Sequence, residues 1–236
     1  MSSGGAKKSD LGIRTVSALV MLAIAAAALW FGGWVWVALV ALTGVGVLWE
    51  WNGLVRDFAR SPLREIAWLF FGVIYIGGAA LSLVAIRAGY PGWFVFIGFL
   101  LPVFAVDIGA YFAGRAIGGP KIAPALSPSK TWAGLIGGML GASLVCLGVE
   151  YYVPEVGQFS LGGFGVFGWR SVAGAFLYGS VIAIIAQAGD FFESWMKRRA
   201  GVKDSGKLIP GHGGLFDRVD GLIAVFFILA ITRNIG

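Results

Sequence analysis

Seven long apolar runs dominate this sequence and decide what kind of fold it can form. The runs are Val16–Phe31, Trp34–Trp51, Ile66–Ile86, Gly92–Val106, Trp132–Tyr152, Ser171–Ala188 and Phe216–Thr232. Each is long enough to cross, or nearly cross, the hydrocarbon core of a bilayer as a helix. Hydrophobic residues make up 58% of the chain and charged residues only 13%, which excludes a water-soluble globule. We therefore predict an all-α, polytopic transmembrane helix bundle with seven or eight spans.

Three further features complete this outline of the chain. Residues 1–15 form a polar, basic N-terminal tail, and Asp107–Ile117 is predicted as a separate short helix within or beside the bundle. Two stretches break the apolar pattern, Asp107–Thr131 and Asp190–Asp220. We expect the whole chain, 1–236, to be a single integral membrane catalytic domain whose 189–220 segment lies on the cytoplasmic side.

The basic residues predict how the chain lies in the membrane. With the N-terminus in the cytoplasm, 15 of the 18 lysines and arginines fall inside, and Arg87, Arg170 and Arg233 fall outside. Basic residues collect in cytoplasmic loops, so the sequence predicts a cytoplasmic N-terminus and, with seven spans, an external C-terminus. The same bias explains the net charge of +6. The expected partner is therefore a lipid bilayer, and no nucleic acid is expected.

Two residue counts exclude other kinds of site. The chain has one cysteine, Cys146, and one histidine, His212. A disulfide framework within one chain and a multi-histidine zinc site are therefore excluded. We also find no internal repeat with a clear period, so an inverted-repeat transporter is not supported.

Acidic residues at the ends of two predicted helices form the first candidate site. One helix face carries Asp190, Glu193, Ser194 and Lys197, and the last span begins with Asp217 and Asp220. Carboxylates at membrane depth are costly and usually have a partner or a function. Carboxylates combined with substrate phosphates are the usual ligands of Mg²⁺. We therefore predict that Asp190, Asp217 and Asp220 bind Mg²⁺, with Mn²⁺ as a substitute.

The loop between these helices is suited to anions. Lys203 and Lys207 supply positive charge, and the run Gly211-His212-Gly213-Gly214 exposes backbone N–H groups. The alternative is a juxtamembrane loop that pairs its own acids and contacts anionic lipid head groups. Composition alone does not decide between the two.

The spacing within this region is more specific than its composition. Its fixed positions are Ser194, Met196, Lys197, Arg198, Lys203, Asp204, Gly206, Ile209, Pro210, His212, Gly213, Gly214, Asp217, Arg218 and Asp220. The pattern resembles the signature of the phosphatidate cytidylyltransferase (CDP-diacylglycerol synthase) family. An upstream stretch is similar to the same family and contains Asp107, Ala110-Tyr111, Gly114-Arg115 and Ser127-Pro128-Ser129-Lys130-Thr131. Ala133 departs from the family, whose members often carry Glu there.

The resemblance implies transfer of a cytidylyl group from CTP to phosphatidic acid, giving CDP-diacylglycerol and pyrophosphate in phospholipid biosynthesis. A phosphate monoester is already a competent nucleophile, so such a site must mainly neutralise negative charge, which metal ions and Lys or Arg can do. The expected location is a bacterial inner membrane, with the active site facing the cytoplasm. The sequence does not decide whether the protein is a monomer or a homodimer.

The candidate residues take three roles under this interpretation. The predicted catalytic residues are Asp190, Lys203, Asp217, Arg218 and Asp220, of which the three aspartates bind the metal. The predicted substrate-binding residues are Asp107, Tyr111, Arg115, Ser127, Lys130, Thr131, Ser194, Lys197, Arg198, His212, Gly213 and Gly214. Simpler roles stay open, such as an internal pair of Asp107 with Arg115, or Thr131 as the cap of the next helix.

Two other functions remain as alternatives. A CTP-dependent lipid kinase of the polyprenol or phytol type would use similar residues but act at the γ-phosphate. A transporter would place its ionisable residues near the middle of the bilayer. In this sequence they lie at the cytoplasmic ends of the predicted spans, which argues against transport.

Overall fold

The protein is a bundle of long helices, described here by a computed structural model that covers residues 4–89, 93–152 and 171–233. The helices are α1 (Gly4–Phe31), α2 (Gly33–Phe58), α3 (Pro62–Gly89), α4 (Trp93–Ala116), α5 (Trp132–Tyr152), α6 (Val172–Arg199) and α7 (Phe216–Arg233). Within the described ranges, the only β-structure is two isolated bridges in loops. The prediction of an all-α bundle is confirmed.

Of the seven helices in the described part of the chain, six, α1 to α6, are long and apolar enough to cross a membrane. The seventh, α7, has 18 residues and corresponds to the last apolar run. Its 18 residues include four charged ones, Asp217, Arg218, Asp220 and Arg233. Its charged first turns lie beside the candidate site, so a long apolar stretch begins only after Asp220.

The predicted separate helix Asp107–Ile117 is wrong, because these residues continue α4 without a break as far as Ala116. Polar residues alone do not end a helix, and the first strong terminator in this stretch is the pair Gly118-Gly119, with φ of +67° and +94°. The N-terminal tail is also largely helical, since α1 begins at Gly4. The segment 153–168, predicted as an external loop, lies outside the described residues.

Large apolar side chains cover the outside of the bundle. Leu42 and Leu81 are each 72% exposed, and Phe70 and Leu144 are similarly open. The interior also holds apolar residues, among them Trp51, which is fully buried and packs against Phe192 and Phe216. A surface as apolar as the core is expected when the surrounding solvent is lipid.

Helices α4 and α5 approach each other more closely than side chains normally allow. A Cβ atom at Gly109 would lie 2.3 Å from the carbonyl oxygen of Gly137, and one at Gly137 would lie 2.2 Å from Cβ of Ala113. Small residues at a helix crossing permit such backbone contact in a membrane. This contact fixes the C-terminal half of α4, which carries Asp107, Tyr111 and Arg115, against the start of α5.

We predict that Gly109→Ala destabilises the bundle, because the added methyl group would overlap a backbone carbonyl that has little room to move. Overpacking of this kind costs about 1–3 kcal/mol. Thermal unfolding in detergent measures the effect. The matched control is Gly148→Ala on α5, where a Cβ atom meets nothing within 4 Å. Equal melting temperatures for the two variants would contradict the predicted close contact.

Candidate active site

Four helices enclose a cavity of about 530 Å³ at one end of the bundle. Its walls are the C-terminal parts of α4 and α6, the N-terminal parts of α5 and α7, and the segment before α5. The residues that line it are Val106, Asp107, Ala110, Tyr111, Gly114, Arg115, Ser129, Lys130, Thr131, Gly134, Ala186, Gln187, Asp190, Asp220 and Gly221. The carboxylates and cations of the cavity therefore come from segments far apart in the sequence.

Three carboxylates converge where α6 meets α7. One oxygen each from Asp190, Glu193 and Asp220 lies within 4.8 Å of the others. Asp190 and Asp220 also line the cavity, whereas the Glu193 side chain is only 1% exposed. Glu193 lies one turn after Asp190 on the same face of α6, so the helical spacing brings both carboxylates to Asp220.

Small residues allow α6 and α7 to approach closely enough for this convergence. A Cβ atom at Gly189 would lie 2.5 Å from Cβ of Ala224 and 2.8 Å from the carbonyl oxygen of Asp220. At Gly221 an added Cβ atom would already touch Ala186 at 3.4 Å. A larger residue at position 189 would therefore force the two helices apart and separate Asp190 from Asp220.

Two cations line the cavity beside the carboxylates. The Lys130 ammonium group forms an ion pair with Asp190 and lies 5.4 Å from the centre of the Phe191 ring. Arg115 donates a hydrogen bond of 2.9 Å to the hydroxyl group of Tyr111, one turn earlier on α4. Arg115 therefore pairs with Tyr111, and the alternative of an ion pair between Asp107 and Arg115 is wrong.

Asp217 lies beside this cluster but uses its oxygens differently. Its Oδ1 accepts a hydrogen bond of 2.6 Å from Lys197, which also forms a 2.5 Å ion pair with Glu193. Its Oδ2 accepts hydrogen bonds from the backbone N–H groups of Ser205 and Gly214, both at 2.9 Å, and from the Ser205 hydroxyl at 3.0 Å. Asp217 therefore joins α6, α7 and the loop between them.

The rest of the loop folds away from the cavity. His212 Nδ1 lies 2.8 Å from the Ser17 hydroxyl of α1, and Arg218 donates a 2.6 Å hydrogen bond to the His212 carbonyl oxygen. Gly213 has a φ of +86°, a left-handed conformation that favours glycine. Lys203 is exposed. His212 and Arg218 thus connect α1 to the start of α7.

The structure brings together part of the predicted set of site residues. The predicted residues that line the cavity are Asp107, Tyr111, Arg115, Lys130, Thr131, Asp190 and Asp220. The predicted residues that do not line it are Ser127, Ser194, Lys197, Arg198, Lys203, His212, Gly213, Gly214, Asp217 and Arg218. Several of this second group have structural contacts instead, such as Arg198, whose Nε donates to the Leu126 carbonyl oxygen at 3.4 Å.

Thr131 has the capping role that the sequence left open. Its hydroxyl oxygen accepts a hydrogen bond of 3.0 Å from the backbone N–H of Gly134, at the start of α5. Thr131 also lines the cavity, so capping and a substrate contact are compatible. Ser194 donates a long hydrogen bond of 3.4 Å to Asp190 and thereby supports a residue that does line the cavity.

Four polar residues near the site were not among the predicted site residues. The sequence places Glu193 on the same helix face as Asp190 but assigns it no role. Gln187 lies one turn before Asp190 on α6, so helical spacing was the signal for both. Ser129 belongs to the segment before α5 and lines the cavity. Glu50, on α2, contacts the loop before α7, and no local pattern in the sequence connects these two distant segments.

The carboxylate cluster fits a divalent cation. Carboxylate oxygens are the ligands that Mg²⁺ and Mn²⁺ prefer. Among the residues that the structure describes, Oε1 of the buried Glu193 has no hydrogen-bond partner, and a buried acceptor without a partner is costly. A cation between Asp190, Glu193 and Asp220 would supply that partner.

Comparison with known proteins identifies the family to which the chain is similar. The model of the cytidylyltransferase family matches residues 57–235 of this chain. The match begins near the end of α2 and includes all four cavity-forming helices, the segment before α5 and the loop before α7.

Curated relatives cover nearly the whole chain. A phosphatidate cytidylyltransferase of Brucella suis biovar 1 is 35% identical, over 94% of this chain and 92% of the relative. Proteins of the same name from Rickettsia bellii and Rickettsia typhi are 34% and 32% identical, over 97% and 93% of this chain and 93% and 92% of their own lengths. This chain therefore belongs to the cytidylyltransferase family.

Proposed function

We propose that this membrane protein transfers the cytidylyl group of CTP to phosphatidic acid, giving CDP-diacylglycerol and pyrophosphate. Family membership and the names of the relatives support this reaction. The structural observation that carries it is the cavity at one end of the bundle, whose lining includes Asp190 and Asp220 together with the cations Lys130 and Arg115. Such a mixture of acids and cations suits a nucleoside triphosphate held through a metal ion.

The reaction requires little proton chemistry. A phosphate oxygen of phosphatidic acid attacks the α-phosphorus of CTP and forms a new P–O bond. The bond from the α-phosphorus to the oxygen that bridges it to the β-phosphorus breaks, and pyrophosphate leaves with that oxygen and the bonding electrons. Because both reactants are anions, the site must mainly hold them in line and neutralise charge.

We infer that Asp190, Glu193 and Asp220 hold Mg²⁺, or Mn²⁺ in its place. The bound metal would neutralise phosphate oxygens of CTP and of the leaving pyrophosphate. Asp217 was predicted from the sequence as the third metal ligand, but the carboxylate oxygens that lie within 4.8 Å of one another come from Asp190, Glu193 and Asp220. The oxygens of Asp217 accept bonds from Lys197 and from the loop before α7. In this proposal Asp217 orients Lys197 and α7, while Glu193 is the third ligand.

The chain's own cations complete the proposed site. Lys130 forms an ion pair with Asp190 and lines the cavity. When Asp190 binds the metal instead, the Lys130 ammonium group is free to bind a phosphate of the substrate. Arg115 is held by Tyr111 on the opposite wall. We propose that these two cations contact the phosphates of CTP and phosphatidic acid, whereas Arg198 and Arg218 stabilise the surrounding loops through the carbonyl oxygens of Leu126 and His212.

We also infer that the cavity opens to the cytoplasm of a bacterial cell. The basic asymmetry of the sequence supports this orientation. CTP then enters from the aqueous side, and the lipid substrate stays in the membrane with its head group at the end of the bundle. Family membership and the relatives favour this function over transport, and the depth of the ionisable residues does not, because Asp107 and Asp190 lie within the long helices α4 and α6.

A product assay tests the proposed function directly. Purified protein is incubated with phosphatidic acid, Mg²⁺ and CTP carrying label at either the α- or the γ-phosphate. We expect α-label in the lipid and γ-label in pyrophosphate, because the bond at the α-phosphorus reacts. Lipid labelled from the γ-position, with CDP as the second product, would instead identify a CTP-dependent lipid kinase.

We predict that Asp220→Asn lowers turnover on the order of 100-fold or more, because a neutral amide does not balance the charge of a metal bound to a triphosphate. The measurement is kcat at saturating CTP and Mg²⁺. Asp57→Asn is the matched control, because Asp57 is exposed in the last turn of α2, away from the cavity. Near wild-type turnover in Asp220→Asn would remove this carboxylate from the metal site.

We predict that Lys130→Gln lowers kcat/KM for CTP about 100-fold, as expected when one charge-stabilising donor at a reacting phosphate is lost. Arg60→Gln provides the comparison, because Arg60 is an exposed residue between α2 and α3, and exposed charges contribute roughly 0–1 kcal/mol. Its activity should stay within a few-fold of wild type. Equal losses in both variants would mean that Lys130 serves topology and not the reaction.

A further inference from the structure

Glu50 is a buried acid that neither the family match nor the signature includes. It lies on α2, before residue 57 where the family match begins, and is only 4% exposed. Its carboxylate nevertheless reaches the loop before α7 and the first residue of that helix. Oε1 accepts a hydrogen bond of 3.0 Å from the backbone N–H of Leu215, and Oε2 accepts one of 2.8 Å from that of Phe216.

The charge of Glu50 is balanced by the start of α7. The first N–H groups of a helix have no partner within the helix, and a carboxylate there is stabilised by the helix dipole. Among the residues that the structure describes, no lysine or arginine forms an ion pair with Glu50. Removal of the carboxylate would therefore leave buried N–H groups without acceptors.

The same carboxylate shapes the loop. A Cβ atom at Gly206 would lie 2.2 Å from Oε1 of Glu50, so only glycine fits while Glu50 occupies its place. The Ser205 hydroxyl lies 3.0 Å from Oε2 of Glu50 and 3.0 Å from Oδ2 of Asp217. Ser205 is buried, and its one hydroxyl hydrogen is within reach of both the carboxylate on α2 and the one at the start of α7.

These contacts lead from Glu50 to the proposed metal site. Asp217 binds Lys197, and Lys197 binds Glu193. Asp220 lies one turn after Asp217 on α7, so the position of the first turn of α7 sets where Asp220 meets α6. Glu50 itself does not line the cavity.

We propose that Glu50 is a positioning residue: it holds the first turn of α7 and the Ser205-Gly206 turn, so that Asp220 reaches Asp190 and Glu193. The catalytic importance of Glu50 rests on the proposed function. What the proposal itself predicts is that Glu50 raises the affinity of the three carboxylates for a divalent cation. Residues that orient metal ligands typically contribute about 10- to 100-fold in metal affinity or activity.

The test compares Glu50→Gln with Glu65→Gln in the purified full-length protein. Glu65, on α3, forms a partly exposed pair of 3.5 Å with Arg56, away from the site, and serves as the matched control. Mn²⁺ binding to the protein without nucleotide, which would itself chelate the ion, is followed by electron paramagnetic resonance, and the Mg²⁺ dependence of turnover is measured in parallel.

We expect the Kd for Mn²⁺ and the Mg²⁺ concentration for half-maximal turnover to rise about 10- to 100-fold in Glu50→Gln. Turnover should recover at high Mg²⁺. Glu65→Gln should match wild type. A purely structural role would lower the amount of folded protein but leave the metal affinity of the folded fraction unchanged, and that result would overturn the proposal.

Ser205→Ala provides a milder second variant in case Glu50→Gln does not fold. It keeps the bonds from Glu50 to α7 but removes the hydroxyl that links Glu50 to Asp217, so a weaker Kd for Mn²⁺ supports the proposal and an unchanged one contradicts it. Wild-type protein that binds Mn²⁺ without making CDP-diacylglycerol would refute the proposed function alone. Wild-type protein that binds no Mn²⁺ would refute the positioning role.

Discussion

The contact between α6 and α7 is the constraint on which the site depends. Gly189 lets the two helices approach, and the Lys197 ammonium group, shared between Glu193 and Asp217, offsets the repulsion that two neighbouring carboxylates would otherwise create. Breaking one partner of a buried ion pair leaves an uncompensated charge, so the three side chains act as a unit. Because that unit is fixed, Asp190 and Asp220 meet at the cavity wall with fixed geometry.

Much of the fold follows from the sequence because lipid imposes simple rules. Each apolar run became one helix, since a backbone in hydrocarbon must satisfy its own hydrogen bonds. The prediction of a separate helix at Asp107–Ile117 is wrong because polar residues do not by themselves end a helix: α4 continues to Ala116, just before the Gly118-Gly119 turn. The glycines of α4 and α5 predict that these helices pack closely against a neighbour, but they do not show which helix that neighbour is.

The candidate site was predictable where its residues share one helix and less so where loops connect them. Asp107, Tyr111 and Arg115 form one stripe on α4, and all three line the cavity. The roles of Asp217 and Glu193 were harder to predict. Sequence spacing does not show that the backbone N–H groups of Ser205 and Gly214 donate hydrogen bonds to the Asp217 carboxylate. The contact of Glu50 with Phe216 spans 166 residues, and nothing local in the sequence indicates it.

The central claim is that the reacting phosphates bind in the cavity between α4 and the α6–α7 contact. A crystal structure of the protein with CTP and Mg²⁺ tests it most directly. The account predicts a metal ion between Asp190, Glu193 and Asp220, with the triphosphate beside Lys130. A triphosphate bound instead to the exposed side chains of Lys203 and Lys207, with no ion at the three carboxylates, would contradict it.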